Sequence, residues 1–300
     1  VIYERYAAGF TRAMPHFTWS VTKTITNALT GVAVGRGALR LDQSICEFVT
    51  AANAANCVVT VQNLLEFASG FAWREVYENV SNQVSSVLAM LYGEGRRDLV
   101  AFVTGHERAV PPGTRYQYST GDSALLASVV RRAMLRGGST EDWPWETLFD
   151  PIGMRSAVME SDARGNPVGG SYFYATPRDL ARFGYLYLHD GCWSGRRILP
   201  EGWVSASTQV SDVFRRARIE NDPEDVQGRQ VWLNRPVPEL GITRPWPDVP
   251  EDAYAARGHW GQSITVIPSR ALVVVRTADD RQSGAFSFNR FLSLAMAVAQ

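Results

Sequence analysis

Residues 18–25 read Thr-Trp-Ser-Val-Thr-Lys-Thr-Ile, and the Lys23 they contain is the only lysine among 300 residues, against 29 arginines. Val21, Ile25, Ala28, Leu29 and Val32 recur at helical spacing, so the stretch predicts a helix that starts near Ser20 and ends in Gly35 to Gly37. On a helix, positions i and i+3 share a face one turn apart, which lays the Lys23 amine beside the Ser20 hydroxyl. A serine hydroxyl is a weak nucleophile and needs a neighbouring base. A free lysine titrates near about 10.4, so neutralising it at pH 7 costs about 4–5 kcal/mol, and burial or a nearby positive group can supply that shift. Arginine stays charged and cannot take the role. The plainer alternative is an N-capping serine beside a solvated lysine, and this spacing alone arises by chance about once in a chain of this length.

Composition narrows the function classes. Hydrophobic residues make up 45% and charged residues 20%, ordinary for a globular chain with a sizeable core. Thirty acidic residues balance thirty basic ones, which gives no electrostatic ground for a nucleic-acid or anionic-membrane partner. The longest apolar runs, such as Ala271 to Val275, fall far short of the roughly 18–20 residues of a membrane span. The chain opens on Val1 with "VIYERY", which reads as a strand, so an upstream segment is expected. The three cysteines form no CxxC or Cys/His cluster, and no metal site is expected. Cys46 and Cys57 could pair across a short loop or remain free thiols.

Helices are predicted over 59–70, 79–92, 96–104, 123–135, 176–190 and from 200, with a last one over 288–300. Strands are predicted in 227–237, 256–268 and 271–280, "PSR" turning between the last two. This order gives an α/β fold: an antiparallel sheet flanked by helices, with a mostly helical second domain. Residues 1–18 and 205–300 would form the sheet domain, joined by the N-terminal strand. Residues 19–204 would form the helical one, with the active site between them in one compact two-lobed unit.

Two further segments bear on the chemistry. Tyr118 lies in "RYQYSTGDS", a loop before a helix, where a tyrosine could relay a proton or simply anchor the loop. "GHWGQ" (258–262) heads a strand, and its glycine lets a substrate carbonyl approach the backbone. The Gln262 N–H could then join that of Ser20 as an oxyanion hole. His259 would face substrate or pack on the surface.

The order Ser-x-x-Lys, then Tyr118 about a hundred residues on, then His259-Trp260-Gly261 on a late strand resembles the serine β-lactamase and penicillin-binding-protein-like family. Within it, the chain looks most like the branch of class C β-lactamases, family VIII esterases and 6-aminohexanoate-dimer hydrolases. Supporting segments run through most of the chain, including 19–45, 60–73, 111–130, 148–154, 174–204 and 256–280. The resemblance implies a Ser20 nucleophile that forms an acyl-enzyme, Lys23 as base and Tyr118 as proton relay. It also implies Ser20 and Gln262 backbone N–H groups on the oxyanion, and no cofactor.

Two motifs depart from the class C pattern. Thr120 stands where those enzymes carry the asparagine of Tyr-x-Asn, and His259-Trp260-Gly261 replaces Lys-Thr-Gly. The lost lysine removes a fixed positive charge for a β-lactam carboxylate, since histidine is mostly neutral at pH 7. His259, Gly261, Thr120, Trp260 and Tyr172 are the candidate substrate-binding residues, and Tyr174 shares with Tyr172 a candidate place on the acyl pocket. The expected partner is a small ester or amide, the expected state a monomer or homodimer. The resemblance points to a bacterial chain and favours a periplasmic or secreted location over the cytoplasm. The alternatives are a β-lactamase or D,D-peptidase on the same machinery, and a non-catalytic binding module.

Overall fold

A computed structural model describes residues 1–78, 80–217, 226–282, 284 and 286–299. The helices are α1 (Val21–Gly35), α2 (Val61–Leu65), α3 (Ser86–Tyr92), α4 (Leu99–Thr104), α5 (Thr120–Arg136), α6 (Pro177–Leu188), α7 (Trp203–Ser207), α8 (Asp212–Arg216) and α9 (Phe288–Val298). The strands are β1 (His16–Phe17), β2 (Val158–Met159), β3 (Phe173–Ala175), β4 (Cys192–Trp193), β5 (Arg196–Arg197), β6 (Trp232–Leu233), β7 (Tyr254–Gly258), β8 (Gln262–Ile267) and β9 (Leu272–Arg276).

The main sheet is antiparallel in the order β6-β7-β8-β9. Strand side chains alternate between faces, and the sequence uses both. Ile264, Val266, Val273 and Val275 belong to the larger core, on the side where α6 packs against β8 and β9. Ala255, Ile267, Leu272 and Val274 belong to a second core with Leu292 and Phe288 of α9. The α6 contact is close enough that a Cβ on Gly184 would sit 2.5 Å from Val273 Cγ1 and 2.8 Å from Ile264 Cγ2. A four-stranded antiparallel sheet lies between helices, as the sequence implies.

Helix α1 is buried on every side from Val21 through Ala33, although it carries Thr22, Lys23, Thr24, Thr26, Asn27 and Thr30. Buried polar groups need partners. Thr24 donates to Gln230 O at 2.8 Å, Thr26 to Gly169 O at 2.6 Å, and Asn27 Nδ2 to Arg229 O at 2.8 Å. These bonds tie α1 to two distant loops, around Gly169 and around Arg229–Gln230. Its neighbour α5, which starts two residues after Tyr118, packs along it.

Several expectations are corrected. Residues 1–15 form no strand; Val1, Ile2 and Tyr3 are exposed. The first strand is His16–Phe17, and it pairs with β3 in a small separate sheet, not with the main one. Strand composition alone does not make a strand without an edge to pair with. The 256–268 stretch is not one strand but a hairpin that turns at His259–Gly261. The 227–237 strand contracts to Trp232–Leu233. Helix α3 starts only at Ser86, where the Ser85 hydroxyl accepts from Leu88 N, and α4 starts after Asp98, which accepts from Ala101 N. Residues 79 and 300, at the ends of two predicted helices, lie outside the described residues. Among the described residues no helix is long and apolar enough to cross a membrane.

Cys46 and Cys57 form a disulfide, and Cys192 is free. The bridge closes a loop with a sequence separation of 11. Closing a loop of that size removes about 2–3 kcal/mol of unfolded-state freedom. A Cys46→Ala/Cys57→Ala variant should lose that much in urea unfolding, and an unchanged midpoint would show that the link adds nothing.

Candidate active site

Ser20 sits at the N-terminal end of α1 with φ −70° and ψ −4°, and its hydroxyl makes no capping bond. That leaves Oγ for Lys23, whose Nζ donates to it at 2.9 Å. Nζ makes two more bonds of 2.9 Å, to Thr120 Oγ1 and to Gly170 O. The ring of Tyr118 lies under the amine, its centroid 4.8 Å from Nζ, wedged between Phe67 at 5.0 Å and Trp232 at 5.6 Å. Lys23 is only 2% exposed. Burial lowers its pKa to about 8, with the Glu75 carboxylate pulling the other way. The structure therefore brings Ser20, Lys23, Tyr118 and Thr120 together around one amine.

Thr120 is fully buried, and its hydroxyl is taken up by this cluster. It accepts from Lys23 and donates to Glu75 Oε1. Glu75 is a site residue that sequence reasoning missed. Its Oε2 accepts from Trp73 Nε1 at 2.6 Å and Thr120 N at 2.9 Å, and its Oε1 from Tyr77 OH at 2.6 Å. Burial, then Glu75, pushes the Tyr77 hydroxyl well above its ordinary value, so it stays a donor. No spacing rule links residue 75 to residue 23, and "WREVY" looks like any loop.

The third motif faces Ser20 across the end of β7. A Cβ on Gly258 would fall 2.2 Å from Thr18 O and 3.1 Å from Trp19 Cβ, so β7 touches the two residues before the serine. Trp19 lies edge-on to His259 at 5.4 Å and to Trp260 at 5.2 Å. His259 stacks on Tyr77 at 5.2 Å, and its Nε2 is 3.3 Å from Glu78 Oε1. Burial lowers the His259 pKa, with Glu78 opposing, so the imidazole is mainly neutral at pH 7. Gly261 has φ +88°, and a Cβ there would collide with Arg276 Nη1 and Asp280 Oδ2. Two cations touch this turn, and each has a carboxylate partner: Arg276 with Asp280 and Arg281 with Asp279. Gln262 opens β8, and its side chain fastens the turn, donating to Ala278 O at 2.5 Å and accepting from Ala278 N at 3.1 Å.

Tyr172 is half-buried beside Phe17 at 5.2 Å and Tyr92 at 6.4 Å, and burial raises its pKa. Tyr174 also stacks on Phe17, at 5.1 Å, its pKa raised to about 12, first by burial and then by Glu160. Trp19, Tyr172 and Trp260 all hold left-handed backbone, with φ of 50°, 61° and 57°. Such conformations are costly for bulky residues and cluster at functional sites.

The family model described as Beta-lactamase matches residues 1–295. A curated relative, the 6-aminohexanoate-dimer hydrolase of Paenarthrobacter ureafaciens, is 25% identical over 245 residues, 77% of this chain. The matched region spans 61% of that relative's length. A Bacillus anthracis structure provisionally assigned as a 6-aminohexanoate-dimer hydrolase superposes with a TM-score of 0.75 at 20% identity, covering 99% of this chain and 74% of its own. A class C β-lactamase in complex with cefoxitin superposes with a TM-score of 0.62 at 17% identity, covering 96% and 84%. The chain belongs to the beta-lactamase family.

Proposed function

We propose that the protein cleaves small carboxylic esters or linear amides through an acyl-Ser20 intermediate. The observation that carries this reading is the buried Lys23 amine 2.9 Å from Ser20 Oγ. A lysine whose pKa is near 8 is partly neutral at physiological pH and can act as a general base. Nζ takes the Ser20 proton as Oγ attacks the substrate carbonyl carbon, and the carbonyl π pair moves to oxygen. The Ser20 and Gln262 N–H groups receive that oxyanion. The proton then passes to the departing oxygen or nitrogen as its bond to carbon breaks, Tyr118 assisting. Water repeats the sequence to free the serine.

The substrate class rests on charge. The third motif offers a neutral imidazole and two guanidiniums already paired with aspartates, which gives a β-lactam carboxylate no open cation. The likeness to a 6-aminohexanoate-dimer hydrolase supports the same choice. The Cys46–Cys57 bridge supports an oxidising compartment, the periplasm or beyond the cell.

A fluorophosphonate probe should add one covalent label to wild type and none to Ser20→Ala, read by intact mass. Labelling that persists in Ser20→Ala would remove Ser20 as nucleophile. A panel of p-nitrophenyl butyrate, a linear anilide and a chromogenic cephalosporin should favour the first two. Faster cephalosporin turnover would assign the β-lactamase alternative.

A further inference from the structure

We infer that Glu75 is a positioning residue that fixes the hydrogen-bond polarity of Thr120 and thereby aims the Lys23 lone pair at Ser20. The inference rests on the acyl-Ser20 reading and adds a member to its machinery.

The argument is a count of protons. Protonated Lys23 has three N–H bonds and three neighbours, Ser20 Oγ, Thr120 Oγ1 and Gly170 O, each at 2.9 Å. Neutral Lys23 has two N–H bonds and one lone pair. Which neighbour meets the lone pair depends on which of the three can offer a proton. Gly170 O is a carbonyl and can only accept. A threonine hydroxyl could donate or accept, but Thr120 has already given its single proton to Glu75 Oε1. Toward Lys23 it is an acceptor. Ser20 is then the one neighbour with a proton to give, and the lone pair faces it.

Glu75 is itself held in that role. Trp73 Nε1 and Thr120 N are donors that cannot accept, and both point at Oε2. Tyr77 OH, kept protonated by burial, donates to Oε1. Every group around the carboxylate presents a proton, so the carboxylate only accepts. The asparagine of the class C pattern has no hydroxyl proton to commit; here a threonine and a carboxylate do that work together.

Glu75→Gln keeps the shape and reverses the polarity. Its Oε1 would take the two N–H donors, leaving its amide to donate to Thr120 Oγ1. The Thr120 proton, no longer taken by a carboxylate, would be shared between Tyr77 OH, 3.1 Å from Oγ1, and Nζ, where it competes with Ser20 for the lone pair. With p-nitrophenyl butyrate, kcat should fall about tenfold or more with KM nearly unchanged. Thr120→Val, which removes the hydroxyl without the carboxylate, should fall by a similar factor. Thr120→Ser keeps the hydroxyl and should stay within about threefold of wild type. The double variant Glu75→Gln/Thr120→Val should be no slower than the worse single one, because both break one relay. Wild-type kcat in folded Glu75→Gln, or additive losses in the double variant, would overturn the inference. If Glu75→Gln does not fold, the Thr120→Val and Thr120→Ser pair decides it by the same contrast. Failure of the acyl-Ser20 reading would show separately, as wild type that takes no fluorophosphonate label.

Discussion

Lys23→Arg should lower kcat about 10³–10⁴-fold on any ester substrate while the protein stays folded. The substitution preserves charge and removes the ability to lose it. Lys23 is buried against Ser20, Thr120 and Gly170, and its pKa is lowered to about 8. Arginine remains protonated far above that pH. Wild-type kcat/KM should therefore rise as pH climbs through about 8 and level off above it, whereas the arginine variant should show no such limb. Stability gives an independent check with a definite sign. The folded-state value near 8 lies below the unfolded value of 10.5, so the penalty of a buried ammonium is complete below about pH 8. It is relieved as pH rises toward 10.5. Wild type should gain about 3 kcal/mol over that window from this residue, and the arginine variant should not. Near-normal turnover by Lys23→Arg would overturn the base assignment.

Gly258→Ala should cost about a hundredfold in kcat/KM together with about 1–3 kcal/mol of stability. The new methyl would stand 2.2 Å from Thr18 O and 3.1 Å from both Gln262 Cβ and Trp19 Cβ. One obstacle is a backbone carbonyl, which cannot rotate aside, and its strand partner Gln262 is on the opposite flank. Relief requires β7 to move away from the entry to α1. That movement would separate the Ser20 and Gln262 N–H groups that we propose hold the oxyanion. Ester kinetics and thermal unfolding on the same sample would check both effects. Full activity with lowered stability would show that this junction holds the fold without setting the site.

How far the sequence alone reaches can be seen in particular elements. The α1 helix, its start at Ser20 and its glycine end follow from apolar spacing and local chemistry, and the structure matches them within a residue. The hairpin at His259–Gly261 does not follow, because the turn puts Trp260 at φ 57°, which no propensity anticipates for an aromatic. "VIYERY" has strand composition and joins no strand among the described residues, because a strand is defined by a neighbour the composition does not name.

The site divides the same way. Local chemistry reached the proximity of Ser20 and Lys23, since a helix turn sets their separation and the structure places Nζ 2.9 Å from Oγ, but a chance-level spacing did not by itself assign their roles. Tyr118 and "GHWGQ" were readable by order along the chain and by resemblance. Glu75, Trp19 and Gly170 were not. Their contacts span 45, 240 and 147 positions and are made by loops and a left-handed backbone turn. A charge state also belongs to the fold: the sequence supplies one lysine, but its pKa near 8 exists only once α1 is buried on all sides and Thr120, Gly170 and Tyr118 close around the amine. Desolvation is a property of surroundings, and surroundings are what tertiary structure adds.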